Sequence, residues 1–454
     1  MNVEYGAAPL DLAMTQRLCR FLTEFSYADL PDAVIHEAKR GLLDWLGCAM
    51  AGSGHPTVAI QLEVMRSLSG APCATVLAHG CRLGLLEAPI VNGQMGHVLD
   101  YDDTHLDGVV LHASSPVLSA LLALVDARGG TGRDLITAYV AGFEAGVRVG
   151  KAAPRHHDGG WHLTGTLGTI AAGVASGRFI GLDAASLVHC SGIATTQASG
   201  MQQNRGTMCK SFHAGRAASN GLLAALLAEK GFDSSPEIFE GRRGFVRIYS
   251  SEAAPGRILE GLGEHWEIAS NGYKPYACGI VQHPCIDAMI QLAAESGIAP
   301  GDVEHYEIRV NPAAVRITGV EEPETGLKSK FSLKHSAAVG YLDGNAGIPQ
   351  YSDARATAQD IKAARAKITI ATVDSYGIDE AEAEVVAIDG RRHVVHVDHA
   401  TGTVENPLSD SQIEDKFRAN TEPVLGVEKT RLLADLVWRL DTLDECRSIT
   451  AAAF

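Results

Sequence analysis

The spacing of apolar residues changes character near residue 265. From about residue 8 to residue 262, apolar positions recur every three or four residues with short glycine-containing breaks, which predicts a run of helices. DAVIHEAKRGLLDWLGCAMAG (32–52), SPVLSALLALVDARGG (115–130) and DLITAYVAGFEAGVRVG (134–150) carry this period clearly. Two further segments, GTIAAGVASGRFIG (168–181) and AASNGLLAALLAEKGF (217–232), are apolar on nearly every side and belong at the centre of a bundle.

Beyond His265 the pattern is mixed. HWEIASNGY, EHYEIRVNP and AEVVAIDGRRHVVHVD are rich in β-branched residues with partial alternation and predict strands. HPCIDAMIQLAAESG and SKFSLKHSAAVGYLDG, between them, predict helices. After Pro407, SDSQIEDKFRAN and KTRLLADLVWRLDTL return to helical period. The expected protein is therefore mainly α: a large all-helical domain from residues 1–264 and 401–454, with a smaller inserted α+β lid domain at 265–400. Sites often form where two such units meet.

The length of 454 residues allows both units, and a hydrophobic content of 46% excludes a disordered chain. A formal net charge of −16 argues against nucleic acid and against an anionic membrane surface. An anionic substrate would need positive charge gathered locally, in one pocket. The N-terminus MNVEYGAAPLDLAMTQRL lacks the basic-then-apolar order of a secretory signal, and no apolar run is long enough to span a bilayer. Nine cysteines without a CxxC pair suit a reducing cytoplasm, mostly as small buried hydrophobes.

One stretch does not fit a mild, aliphatic chain. GHVLDYDDTHLDGVVLHASS (96–115) sets Asp100, Asp102, Asp103 and Asp107 among His97, His105 and His112. Ser115 before Pro116 predicts a capped helix start, which places His112 just ahead of a helix N-terminus, a place that favours anions. His283 before Pro284 repeats the arrangement. His162 precedes the apolar segment beginning LTGTLGT, and no Walker or dinucleotide fingerprint accompanies its glycines. Lys210 and His213 share a face at another helix start, while Lys274 lies shortly before His283. Lys334 and His335 form a further pair. Together these would make a cationic pocket with a histidine able to move a proton on carbon beside a carboxylate, without a metal or cofactor. Asp100 could hold one imidazole in its working tautomer.

GHVLDYDDTH, HASSPVLSALLAL, WHLTGTLGT, CKSFHAGRAA, KPYACGIVQHPCIDA, KFSLKHSAAVGYLDG and NPLSDSQIEDKFR, in that order, resemble the MmgE/PrpD family. Members of that family include 2-methylcitrate dehydratase, cis-aconitate decarboxylase and iminodisuccinate epimerase. The resemblance implies a helical domain with an α+β lid, a homodimer, and cofactor-independent chemistry on a small di- or tricarboxylate. It implies His112, Asp100, Lys210 and Lys274 as catalytic residues. Thr104 and His162 are implied in substrate binding, with His283 and His335 as added candidates. Ala113 stands where a proline is common, and two extra residues separate Thr104 from His112. Gly279 occupies a position where the decarboxylase branch often has a histidine, and His335 one where it has a tyrosine. These departures weigh against a cis-aconitate-type decarboxylase, leaving a dehydratase first and an epimerase open.

Two other classes compete. The DDxxxD run of Asp102, Asp103 and Asp107 is the kind that holds Mg²⁺ against a diphosphate, although no second such motif follows and aromatic content is only 6%. A catalytically silent helical scaffold is the third.

Overall fold

The two segments that are apolar on every side lie against each other in the middle of a helical body. A computed structural model describes residues 13–454; the expected helical start at about residue 8, and the acidic N-terminal stretch before Ala13, lie outside the described residues. The body begins with α1 (Met14–Glu24), α2 (Asp32–Gly52) and α3 (Pro56–Leu68). A small hairpin of β1 (Ala74–Val76) and β2 (Cys81–Leu83) leads into α4 (Glu87–His97) and then the two-residue β3 (Thr104–His105). There follow α5 (Ser114–Arg128), α6 (Gly132–Ala152), α7 (Leu163–Phe179), α8 (Ala184–Thr195) and α9 (Met208–Glu229).

Small residues let these helices approach closely. A Cβ at Gly93 of α4 would lie 2.8 Å from the Gly215 Cα of α9, and one at Gly221 of α9 would lie 2.4 Å from the Gly173 backbone nitrogen of α7. The abundance of Ala and Gly thus has a packing cause: helix axes come near enough to bury polar residues at the helix starts. No helix among the described residues is long and apolar enough to cross a membrane.

The mainly α class holds, with a second, smaller apolar core built from residues 277–397 together with Cys48, Val98, Leu99 and Tyr101 of the body. Its sheet has the order β6 (Ile368–Thr372), β5 (Val303–Val310), β7 (Ala381–Ala387), β8 (Arg392–Val397). The β5–β6 pair is parallel and the other pairs are antiparallel. Helices His283–Ser296 and Leu333–Asp343 contribute Ile286, Met289, Ala337 and Val339 to the same core. The helix Asp410–Leu425 returns to α2, where Phe417 is buried against Gly47 and the Lys416 ammonium meets the Asp44 carboxylate at 2.6 Å.

Two expectations are corrected. HWEIASNGY is not an extended strand: Glu267–Ser270 form a 3₁₀ turn, and only β4 (Asn271–Gly272) is extended, pairing with β3. The β-like alternation there reflects packing, since Trp266 packs tilted against Phe21 and edge-on to Phe25 while Glu267 turns inward to His105 and Lys151. In SKFSLKHSAAVGYLDG the helix begins only at Leu333, where the Ser332 hydroxyl accepts from the His335 backbone N–H. β6, from KITIAT, escaped notice because a short edge strand with an exposed face lacks a strong period.

Substituting Gly215 with Ala would place a methyl 2.0 Å from the Ile90 carbonyl oxygen, so α4 and α9 must part. The expected cost is about 1–3 kcal/mol, seen as a lower thermal midpoint together with lost activity. An unchanged midpoint would refute the close approach.

Candidate active site

The turn that ends α4 sets out the site. After His97 the chain passes through Asp100 at φ +52°, a left-handed conformation that aspartate tolerates better than most residues and that often marks a functional position. The turn aims the Asp100 carboxylate at two ammonium groups. Lys274 Nζ lies 2.7 Å from Oδ1 and also donates to the Asp100 carbonyl at 3.1 Å, while Lys210 Nζ lies 3.1 Å from Oδ2. Lys210 comes from the first turn of α9, and Lys274 from the segment after β4, which the β3–β4 pairing draws toward the same turn. Burial alone would raise the Asp100 pKa; the two lysines outweigh it and hold the carboxyl well below the usual range. Burial pushes Lys210 down, and Asp100 opposes that shift.

His112 sits two residues before α5. Its Nδ1 lies 2.8 Å from the Asp103 carbonyl oxygen and 3.1 Å from the Thr104 hydroxyl. A carbonyl only accepts, so Nδ1 carries the proton and Nε2 keeps its lone pair. Burial drives the His112 pKa down to about 3, against the pull of Asp102. The tautomer is thus set by a backbone carbonyl. Asp100, expected to orient an imidazole, is instead the partner of two lysines, which occupy both its carboxylate oxygens.

The orienting carboxylate of this neighbourhood is Asp102. It lies 2.9 Å from His97 Nδ1, 3.7 Å from His112 Nδ1, and accepts from Ser115 Oγ at 3.1 Å. Ser115 therefore does not cap α5, which starts at Ser114 without a side-chain cap. The His97 ring packs 4.7 Å from that of His112 and 5.4 Å from that of His162. His162 Nδ1 is in turn 2.9 Å from His213 Nδ1, and His162 Nε2 is buried without a hydrogen-bond partner. Burial lowers the pKa of all three histidines, to about 4 for His213.

One cavity, of about 60 Å³, brings these groups together. Asp100, His112, His162 and Lys210 face it from the body, Lys274 from the crossing segment, and Ile280, Val281, Ile317 and Phe331 close it with apolar surface. The cavity is smaller than most ligand pockets, which hold about 300–1,000 Å³. Thr104 stands behind His112, fully buried. His283 and His335 are not brought in. His283 is buried edge-on to Tyr276, and His335 Nε2 lies 2.8 Å from the Gln350 carbonyl beside Tyr351. Lys334 pairs with Glu321 away from the cavity. A wider cleft of about 750 Å³ lies over Lys151, Asp107 and Glu267, but there the one ammonium is already shared by both acids, at 2.7 Å each.

That pairing also separates the DDxxxD acids. Asp107 is exposed beside Lys151, Asp102 is committed to His97, and Asp103 accepts from Ser114 and Asn271. Burial and Asp102 raise the Asp103 pKa to about 8, so it keeps its proton at neutral pH and makes a poor cation ligand. The three carboxylates do not share a face, and the diphosphate–magnesium expectation falls with them. His97, Asp102 and His112 are close enough to hold an ion, yet the nitrogens facing Asp102 are the hydrogen-bonded ones.

Sequence reasoning missed five groups here. His97 and Asp102 were in view, but nothing local shows which acid meets which imidazole. His157 and Arg205 also line the cavity, from loops whose folding the motifs do not encode. Lys330 is buried, its ammonium 2.6 Å from the carbonyls of both Leu99 and Ala277, and burial takes its pKa down to about 8.

Comparison with known proteins decides the lineage. The MmgE/PrpD N-terminal domain matches residues 16–257, and the MmgE/PrpD C-terminal domain matches residues 276–442. The chain belongs to the MmgE/PrpD family. Among MmgE/PrpD relatives, the cis-aconitate decarboxylase of Aspergillus terreus is 26% identical over 464 residues, covering 95% of this chain and 94% of the relative. The Homo sapiens cis-aconitate decarboxylase is 26% identical over 459 residues, 96% of this chain and 94% of that one. A cis-aconitate decarboxylase-like protein of Aspergillus oryzae is 31% identical over 297 residues, 62% of this chain and 61% of its own.

The buried histidines make the fold acid-sensitive. His112 and His156 take up a proton in the folded chain only near about 3, and His157, His213 and His335 near about 4, in each case through burial first. In the unfolded chain they protonate near about 6.5. The unfolded state then binds more protons throughout this window, so their contribution is complete above about pH 6.5 and is lost as pH falls toward 4. Thermal midpoints measured across pH 8 to 4 are expected to fall through that interval.

Proposed function

We propose that this enzyme is a lyase acting on a small di- or tricarboxylate, by proton transfer at the carbon next to a carboxylate, and that the reaction is a dehydration. One observation carries this: a neutral His112, its Nδ1 held by the Asp103 carbonyl, keeps an Nε2 lone pair in a cavity that also holds Lys210 and Lys274. A base of this kind removes a proton from carbon, and positive charge nearby stabilises the enolate-like dianion that forms. Lys210, Lys274 and the unpartnered Nε2 of His162 would bind the carboxylates, and Thr104 would steady the ring of His112. Asp100 would hold both lysines aimed into the cavity. The proton taken from carbon goes to His112, and the hydroxyl departs as water with a proton from Lys210, whose ammonium burial makes more acidic. The helical body (1–264 and 401–454) and the α+β unit (265–400) would part to admit substrate and close over it, in a homodimer within a reducing compartment that suits the nine unpaired cysteines.

Decarboxylation is the second reading, favoured by the names of the full-length relatives. There the carbon–carbon bond breaks, CO₂ leaves, and the same dianion is reprotonated, so His112 would have to enter the step as an imidazolium. Gly279 in the cavity wall, where the decarboxylase branch often carries a histidine, weighs toward dehydration.

Proton NMR in D₂O with citrate, 2-methylcitrate, cis-aconitate and iminodisuccinate separates these outcomes. Dehydration is expected to produce an alkene from a hydroxy acid; CO₂ release would replace it with decarboxylation, and deuterium uptake alone with epimerisation. Replacing His112 with Ala is expected to lower turnover roughly 10²- to 10⁴-fold with the fold intact. Full activity in that variant would remove the base from the scheme.

A further inference from the structure

Of the charged side chains that line the cavity, Lys210, Lys274 and Asp100 form one cluster, the two lysines sharing the carboxylate. Arg205 stands apart: among the described residues no carboxylate lies within ion-pair distance of its guanidinium, although it lines the same cavity. It is nevertheless firmly placed. Its Nη2 donates to His157 Nε2 at 3.0 Å, and its backbone N–H donates to the Gln202 carbonyl at 2.9 Å. Gln202 Nε2 in turn binds the carbonyls of His157 at 2.6 Å and Trp161 at 2.9 Å, so the loop carrying His157 and the turn carrying Arg205 are held as one piece.

We infer that Arg205, steadied by His157, binds a second carboxylate of the substrate, one remote from the reacting carbon, and so selects polycarboxylates over monocarboxylates. His157 is a positioning residue. By accepting from Nη2 it must be the neutral, Nδ1-protonated tautomer, and it spends one guanidinium N–H while the other edge stays open to a planar anion. The apolar walls of Val110, Ile280, Val281, Ile317 and Phe331 strengthen such a contact by excluding water. The lysines, already neutralised in part by Asp100, suit the carboxylate whose charge grows during reaction; a fixed fork suits one that does not change. This inference rests on the polycarboxylate function proposed above and names the group that would give it selectivity.

The test compares wild type with Arg205→Met, Arg205→Lys, His157→Gln and His157→Phe. One readout is steady-state kinetics on whichever acid the wild type turns over. The other is calorimetric affinity for tricarballylate, an unreactive tricarboxylate. Arg205→Met is expected to raise KM and the tricarballylate Kd roughly 10- to 100-fold, the weight of a charge-assisted bidentate contact, with a much smaller fall in kcat. Arg205→Lys should recover part of the loss. His157→Phe should weaken binding without changing the pH profile of kcat, and His157→Gln, which can still accept from Nη2, should recover part of that loss. A monoester of the acid should be discriminated against by wild type and no longer by Arg205→Met. Wild-type KM and tricarballylate affinity in a folded Arg205→Met variant would overturn the inference and leave the proposed function standing. Wild type binding tricarballylate through Arg205 yet turning over none of the acids would support the inference and sink the reaction. Wild type that neither binds tricarballylate nor turns over any of the acids would overturn both.

Discussion

Two buried ammonium groups on one carboxylate organise this protein. Lys210 and Lys274 come from segments far apart in the sequence, and both ammonium groups close on the Asp100 carboxylate, which offsets the cost of burying them. The arrangement needs the chain to turn sharply after α4, which Asp100 does at a positive φ. It also needs the β3–β4 bridge, short as it is, to carry Lys274 to the turn. Lys416 braces the same loop from the far side, donating to the Tyr101 carbonyl at 2.7 Å while paired with Asp44. The helix Asp410–Leu425 thus helps to shape a site none of whose lining residues it supplies.

Around that ion cluster the histidines are kept neutral by burial, and this has a chemical use. A neutral ring can take a proton as soon as substrate arrives. A ring already protonated in the empty site would repel the lysines and leave no base. Asp102 anchors His97, which packs between His112 and His162, so the rings hold one another in place by contact as well as by hydrogen bonds. The cost is the acid sensitivity that such buried imidazoles bring.

Much of this could be read from the sequence, and what could not has a common cause. The long helices follow from their period, and the helix starts near His112, His162 and Lys210 from local composition. Those residues and Lys274 do line one cavity. What failed was pairing. Asp100, Asp102 and Asp103 are near neighbours in the sequence, yet one binds lysines, one binds a histidine and one keeps its proton; only the turn geometry separates these fates. His283 shares the His-before-Pro pattern, but its helix starts inside the second core, so the same signal gives a packed ring rather than a site residue. Trp266 and its neighbours looked like a strand because contact with Phe21 and Phe25 imposes the same alternation as a sheet. Arg205 and His157 meet through two loops, and loop geometry leaves no period to detect.

The charges around the cavity explain how a protein with a net charge of −16 can be suited to an anion. Lys210, Lys274 and Arg205 bring three positive charges, and Asp100 and Asp102 bring two negative ones, a small excess in the resting site. A cavity lined with unpaired cations would cost too much desolvation to fold; one fully neutralised would have nothing to offer a carboxylate. Sharing one aspartate between two lysines lies between these limits. Each ammonium gives up only part of its field to Asp100 and keeps the rest for a ligand, so charge that develops on a bound acid meets partners already charged and already placed. Preorganisation of this kind needs no movement at the moment of reaction, and it follows directly from one carboxylate having two oxygens and two different lysines within reach.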